Sequence, residues 1–470
     1  MEETPASILQ TIINQEINAI GQASPQVVSY NYKLTVHCPN GKEIPALVIN
    51  SVNQLRDYYT RFGDVVSVQA SFPVGEVTHN ILPNHTDLEI TLIKIPLRTA
   101  SRYEEITSEG NTVTRYTAKL YDVKSAMLEG KQIEASSSKQ SNINSMMALD
   151  FQLIPTGLEE LRIKTFGSVI RESTPMDAIM CVLMANTPGV KGITVESGYT
   201  TEVKNHIVVP HLTRVVDAPK TINRLTGGIY PTGFKYYNQD DMWYIYSPYN
   251  ITYYHLALKT LTVINLPKDK LAEMEVTFRE TAGQLIVLGT GDTSHFDESE
   301  TTMQNQGNGF KFIDASKVFE DFGEIKDNKF LVDRTKNVTQ VVNPHQMRKV
   351  NVATEVPQRI TSSYNLEYSE ILKRSGSIVQ VQWESSKSDL IHPGMPVRYM
   401  YMDSGLAKEI YGRVIAVETK TRQTNRSVTQ RIFTNDSIVT LFVSTATAPS
   451  TGGDTTNQRK TGETVTPIIV

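Results

Sequence analysis

Residues 28–41 read VSYNYKLTVHCPNG. Val28, Tyr30, Tyr32, Leu34, Val36 and Cys38 alternate with polar partners, and Asn40-Gly41 supplies a tight hairpin turn. A period of two gives one face to a core and one to water, which is the pattern of a strand. The pattern returns at Leu88, Ile90, Leu92 and Ile95-Pro96-Leu97, and again at Tyr116, Ala118 and Leu120. Leu149, Phe151 and Leu153 continue it, through Pro155-Thr156-Gly157, into Leu161, Ile163 and Thr165. Residues 22–173 are therefore expected to form a mostly antiparallel β domain. Its Ser/Lys/Gln/Asn-rich interruption at 135–144 reads as a mobile surface loop.

Outward from this domain, the period changes twice. Residues 1–21 read as an amphipathic helix: Thr4 can cap it, Pro5 suits its first turn, and Ile8, Ile12, Ile13, Ile17 and Ile20 form a stripe. That stripe either packs on its own chain or reaches a neighbouring subunit. Thr174-Pro175-Met176-Asp177 is a cap, a first-turn proline and a first-turn acid, so a helix is expected through Met184. It is apolar almost all round, which predicts burial and makes Cys181 a small core hydrophobe.

Residues 174–357 read as a middle α+β domain. It contains a short helix or turn over 219–225, the aromatic runs Phe234-Lys235-Tyr236-Tyr237 and 242–249, and strands at 254–258, 261–264, 275–278 and 285–288. Residues 292–309 have almost no apolar content and are expected to be a disordered loop, or an insertion ordered by a partner. Strands at 378–383, 397–401, 409–419, 427–434 and 438–444, with turns between, predict a small barrel over 358–444. A Thr/Gly/Pro/Asn-rich tail follows over 445–470. The fold class is mainly β with minor α.

Composition narrows the function. Charged residues make up 20 % and the net charge is −4, so no global field calls for nucleic acid or an anionic membrane. No apolar run approaches the roughly 20 residues of a membrane span. Met1-Glu2-Glu3 has the wrong charge for a signal peptide, and two cysteines cannot make a disulfide scaffold, so a soluble, non-secretory protein is expected.

Motifs of known enzymes are missing. Gly41-Lys42 lacks the upstream glycine of a phosphate loop, and no helix pattern follows Gly289-Thr290-Gly291. His79 and His85, and His206 and His211, have spacings that do not place two imidazoles on one helix face. Asp292, Asp297, Glu298 and Glu300 are acidic enough to attract Ca²⁺ but lack the calcium-loop framework, so a solvated loop is expected. Glu104-Glu105, Glu159-Glu160 and Asp240-Asp241 are adjacent, and strand neighbours point to opposite faces. No catalytic residue, metal or cofactor is expected. One charge asymmetry remains: Arg413, Lys420, Arg422, Arg426 and Arg431 put positive charge on one hairpin, with Glu418 the only acid between Arg413 and Arg431. That hairpin is either a solvated turn or a docking surface for an acidic partner.

A β domain with an Asn-Gly hairpin, a middle α+β domain, and a small barrel opening on His392-Pro393-Gly394-Met395-Pro396-Val397 together resemble the baseplate hub proteins of contractile-tailed bacteriophages, relatives of the hub part of type VI secretion spikes. The run from Thr221-Ile222-Asn223 through Phe234-Lys235-Tyr236-Tyr237 to Trp243-Tyr244-Ile245-Tyr246-Ser247-Pro248-Tyr249 is similar to that family's segment ending in an aromatic strand. The likeness covers residues 30–444. It implies a structural virion protein, a homotrimer in which two tube-like barrels per subunit, flanking the middle domain, form a pseudo-sixfold ring. The ring would join the tail tube to the central spike, touch neighbouring wedge proteins, and meet the tape measure or passing DNA transiently in its lumen. Assembly in the host cytoplasm, a place in the virion baseplate and no membrane partner go with that reading. The alternatives are another tail adaptor, such as a distal-tail or tube-initiator protein, or a tail-borne cell-wall hydrolase.

Overall fold

The structure is a computed structural model. It describes residues 5–22, 29–86, 88–98, 104–105, 112–120, 146–272, 274, 276–295, 369, 372–373, 376–403, 405–425 and 431–444, together with the strand segments 310–313, 324–326, 329–331 and 338–341. Thr4, Arg426, the 135–144 and 296–309 segments and the 445–470 tail lie outside the described residues.

The chain is mainly β with minor α. The expected first strand is β1 (Ser29–His37), whose hairpin turns on Gly41 at φ 80°. Two strands not anticipated follow, β2 (Val48–Asp57) and β3 (Val65–Pro73). Next come β4 (Leu88–Arg98), β5 (Thr112–Leu120) and β6 (Met146–Pro155). Near the other end lie β12 (Thr260–Asn265), β13 (Gln284–His295), β14 (Ser377–Trp383), β15 (Pro396–Asp403), β16 (Leu406–Gln423) and β17 (Phe433–Ser444). All belong to one 15-stranded sheet.

That sheet closes on itself twice. In the first ring β1 pairs β4, then β5, β6, β3, β2 and β16 follow in turn, and β17 returns to β1 at Phe433↔Tyr30. In the second ring β12 pairs β13, then β14, β17, β16 and β15 lead back to β12. The β16–β17 hairpin is therefore a wall of both barrels. The alternating residues fill the first core, with Tyr32, Leu34, Val36, Val68, Phe72, Ile90 and Phe151 buried together. The second core gathers Leu261, Val263, Val287, Val381, Trp383, Val397, Val414 and Leu441.

The structure departs from the sequence expectations at definite points. β12 and β13, expected in the middle domain, are strands of the second barrel, and β12 runs parallel to both neighbours. Parallel partners need long crossovers and are buried on both faces, so their local pattern does not reveal which sheet they join. β13 continues to His295, past the expected loop start at Asp292. A single β17 replaces the end of the strand expected over 427–434 and the one over 438–444, and residues 254–258, read as strand, instead hold the end of the 3₁₀ turn Ile251–His255 and the irregular chain after it. Leu161 and Ile163, read as continuing the strand alternation, lie in helix α2 (Thr156–Ile163). Pro155 has no N–H to continue the ladder, and Leu158 and Leu161 then fall on one buried helical face.

The N-terminal helix α1 (Pro5–Gly21) forms and packs on its own chain: Leu9, Ile13 and Ile20 lie against Ile264, Ile286, Leu288 and Met400 on the outside of the second barrel. The middle segment has its own core around α3 (Pro175–Asn186), whose Thr174 Oγ1 accepts from Asp177 N at 3.1 Å as expected of its cap. Burial is one-sided, however. Met176, Ile179, Val182 and Leu183 face inward, while Cys181 is exposed, so it is not a core hydrophobe. β7 (Thr165–Ser173) pairs with β9 (Lys204–Arg214) as an outlying ribbon. β8 (Gly192–Val195) and β10 (Lys235–Gln239) flank β11 (Met242–Tyr246), with Trp243 buried and donating to Thr187 Oγ1 at 2.9 Å.

Candidate functional site

The basic residues singled out on the hairpin are not one surface. Arg413 is buried, with 1 % of its side chain exposed, against Glu196 at 3 %. Its Nη2 donates to Glu196 Oε1 at 2.7 Å, its Nη1 to the Gly394 carbonyl at 2.7 Å and its Nε to the Asn250 carbonyl at 2.9 Å. The Tyr253 ring lies 4.8 Å from the guanidinium carbon. Arg413 therefore ties the middle segment and the His392–Pro396 turn to the shared hairpin and offers no free surface on the single chain. Glu196 also accepts from Ser247 N at 3.2 Å and Asn250 Nδ2 at 3.1 Å. Burial pushes its carboxyl up, and Arg413 and these donors pull against that shift.

Lys420 and Arg422 do reach water, but each has an acidic partner: Lys420 lies 2.9 Å from Glu418 and Arg422 3.1 Å from Asp436. They sit within β16, whose Lys420 pairs with both Asp436 and Asn53, so this part of the hairpin is barrel wall and not a projecting tip. Arg431 is half-buried where β17 is about to begin, and its Nε has no acceptor among the described residues.

Charge concentrates elsewhere, in a cavity of about 540 Å³ at the mouth of the first barrel. One wall is barrel: Arg56 from β2, Lys94 from β4 and Arg115 from β5. The α2 start at Thr156 and the Asn238–Asp241 turn between β10 and β11 close the opposite side. Arg56 Nε donates to Asp64 Oδ2 at 3.1 Å, its Nη1 to the Ser388 carbonyl at 3.1 Å, and its Nη2 to Asp389 Oδ1 at 3.3 Å. Asp64 also accepts from Gln54 at 2.6 Å and from the Tyr237 hydroxyl at 2.8 Å, and Lys94 pairs with Asp389.

Asp240-Asp241, read earlier as adjacent strand residues, is the two-residue turn itself, with φ of 54° and 63°. Both residues line the cavity. Sequence reading missed the cluster because its members lie far apart, Arg56 and Asp389 by 333 positions. The one local signal was an Asp-Asp pair where a hairpin turn with two positive φ angles favours Asn-Gly.

The electrostatics predict an acid response. Burial disfavours the Asp389 carboxylate, but Lys94 and Arg56 outweigh it and hold the carboxyl well below the usual carboxylate range. With a folded pKa below the unfolded value of about 3.9, the stabilisation is complete above that value. It is lost as pH falls through the folded one. Asp389 keeps 41 % of its side chain exposed, so water screens the pair and the contribution is modest. Asp389→Asn is expected to flatten the melting-temperature profile below about pH 4; an unchanged acid limb would assign that limb to other carboxylates.

The fold and its cavity define a mainly β protein of two conjoined barrels with an α/β segment closing the mouth of the first. No family model and no curated protein matches the chain. Solved structures that it resembles include phage-tail and type VI secretion components. A tail protein from Neisseria meningitidis MC58 aligns at a TM-score of 0.43 and 9 % identity, over 87 % of this chain and 96 % of that one. The 43 kDa tail protein of prophage MuSo2 from Shewanella oneidensis aligns at 0.40 and 8 %, over 87 % and 97 %. The E. coli c3393 protein, a type VI secretion component, aligns at 0.33 and 7 %, over 87 % and 73 %. Likeness this distant assigns no residue a role.

Proposed function

We propose that the chain is a structural, non-enzymatic tail protein, the baseplate hub of a contractile phage tail. In this reading it joins the tail tube to the central spike, and wedge proteins surround it in the virion. The observation that carries the reading is the pair of closed barrels sharing the β16–β17 hairpin. A subunit with two rigidly joined barrels is a natural third of a pseudo-sixfold ring: three copies present six barrels to a sixfold tube. Lys420 and Arg422, with Arg426 next in sequence, are then candidates for the rim that meets an acidic neighbour, each exposed contact contributing about 0–1 kcal/mol.

The test is the mass in solution. The chain is 52.6 kDa, so a trimer is expected at about 158 kDa by light scattering. A stable monomer at micromolar concentration removes the trimeric hub reading.

A further inference from the structure

The outlying β7–β9 ribbon leaves one strand edge open. β9 buries Ile207 and Val209 in the middle core, whereas no residue of β7 is buried, so β7 is the outer strand. Its far edge meets no strand among the described residues. Edges of this kind are usually blunted by proline, charge or a bulge. β9 is blunted in that way: Pro210, His211 and Leu212 bulge between Val209 and Thr213, with Leu212 at φ 65°. On β7 only Arg171 and Glu172 are charged, and residues 165–170 carry neither charge nor proline. Val169 there is 50 % exposed and stands opposite Val208 at 55 %, an apolar pair turned to water.

The same chain holds a segment suited to that edge. Residues 445–463, which follow β17, include no Val, Ile, Leu, Met or aromatic residue. Next comes Thr464-Val465-Thr466-Pro467-Ile468-Ile469-Val470, in which every residue but Pro467 is β-branched and none has a charged side chain. β-Branched residues favour strands, so a polar tether leads into a strand-forming, apolar run. An extended backbone puts Val465, Pro467 and Ile469 on one face. An added strand is itself an edge, where the missing N–H of proline can face water. The tether of 445–463 spans up to about 60 Å, against a radius of gyration of about 23 Å for a folded chain of this length.

We propose that residues 464–470 add to the free edge of β7 as the third strand of the ribbon. Main-chain hydrogen bonds to 165–170 hold the segment, and its apolar face extends the Val169–Val208 stripe. The lengths agree, since a six-residue edge and a seven-residue run are each about 20 Å long. Charge does not select the occupant, because Arg171 and Glu172 stand side by side at the end of the edge. Size does. An edge of about 20 Å cannot supply the roughly 800 Å² per partner that a stable interface between separate proteins needs. A tethered segment is held at about millimolar effective concentration, so weak pairing suffices. The pairing holds whichever assembly the chain joins.

Amide hydrogen exchange on the full chain tests this. Residues 165–170 and 464–470 are expected to be protected together. The double variant Val465→Asp with Ile469→Asp, outside both barrel cores, should speed exchange at 165–170 by about tenfold and leave Ile207 and Val209 slow. Val169→Lys, which charges an exposed position and leaves the cores intact, should release 464–470 to the same extent. Protection independent of protein concentration places the segment on its own chain, and protection that rises with concentration places it on a second copy; both support the pairing. Free exchange of 464–470 in the parent protein, or equal exchange at 165–170 in the parent and the Asp variant, overturns the proposal.

Discussion

Glu196→Ala is expected to destabilise the protein by about 3–5 kcal/mol, because it leaves the Arg413 guanidinium buried without a counter-charge. Arg413 would keep its bonds to the Gly394 and Asn250 carbonyls, but neither carries a full negative charge. Ser247 N and Asn250 Nδ2 would lose their acceptor as well. The damage should spread in a particular direction. Glu196 follows β8 in the middle segment and Arg413 sits in the hairpin common to both barrels, so protease sites in the middle segment should open first. The double variant Glu196→Met with Arg413→Met should recover much of the loss, since a buried pair replaced by apolar groups is often close to neutral. Thermal and urea unfolding of the three proteins checks this. If the single variant lies within about 1 kcal/mol of the parent, the pair is not what fastens the segments.

Gly412→Ala is expected to be at least as damaging, above about 4 kcal/mol, through sterics alone. A Cβ on Gly412 would lie 1.9 Å from the Phe442 carbonyl oxygen, 2.9 Å from its carbon and 3.0 Å from Val443 Cα. All three are backbone atoms of β17, so no rotamer change relieves the clash and the hairpin must part. Val397 flanks Gly412 on the other side, where β15 closes the second barrel. Because the same hairpin completes the first barrel, both cores should loosen together. Gly405→Ala is the control: that residue has φ of 80° but open space around it, so it pays only the backbone cost of about 1 kcal/mol. Soluble yield and melting temperature should separate the two variants clearly. A Gly412→Ala protein that melts like Gly405→Ala would mean that the strands can slide apart at little cost.

What the chain determined locally is what local physics can encode. Val28 to Cys38 alternate in hydrophobicity, and a period of two has only one good backbone, so β1 was legible. Asn40-Gly41 admits positive φ, and Thr174-Pro175 starts a helix with its own hydrogen bond, so these punctuation marks were legible too. The stripe of α1 showed a helix with one buried face but not which surface would cover it. Only the tertiary structure decided which strands met. The parallel join of β12 to β15, the double closure of the sheet, and the sharing of one hairpin by two barrels depend on partners more than a hundred positions away, and burial on both faces erases the alternation that marks a face. The fate of charge was decided in the same way. Arg413 and Lys420 read alike in a basic hairpin, yet one is buried against Glu196, 217 positions distant, and the other lies in water beside Glu418. A guanidinium is buried only where an acid and carbonyls converge on it, and that convergence is a property of the closed barrels, not of the residues around Arg413.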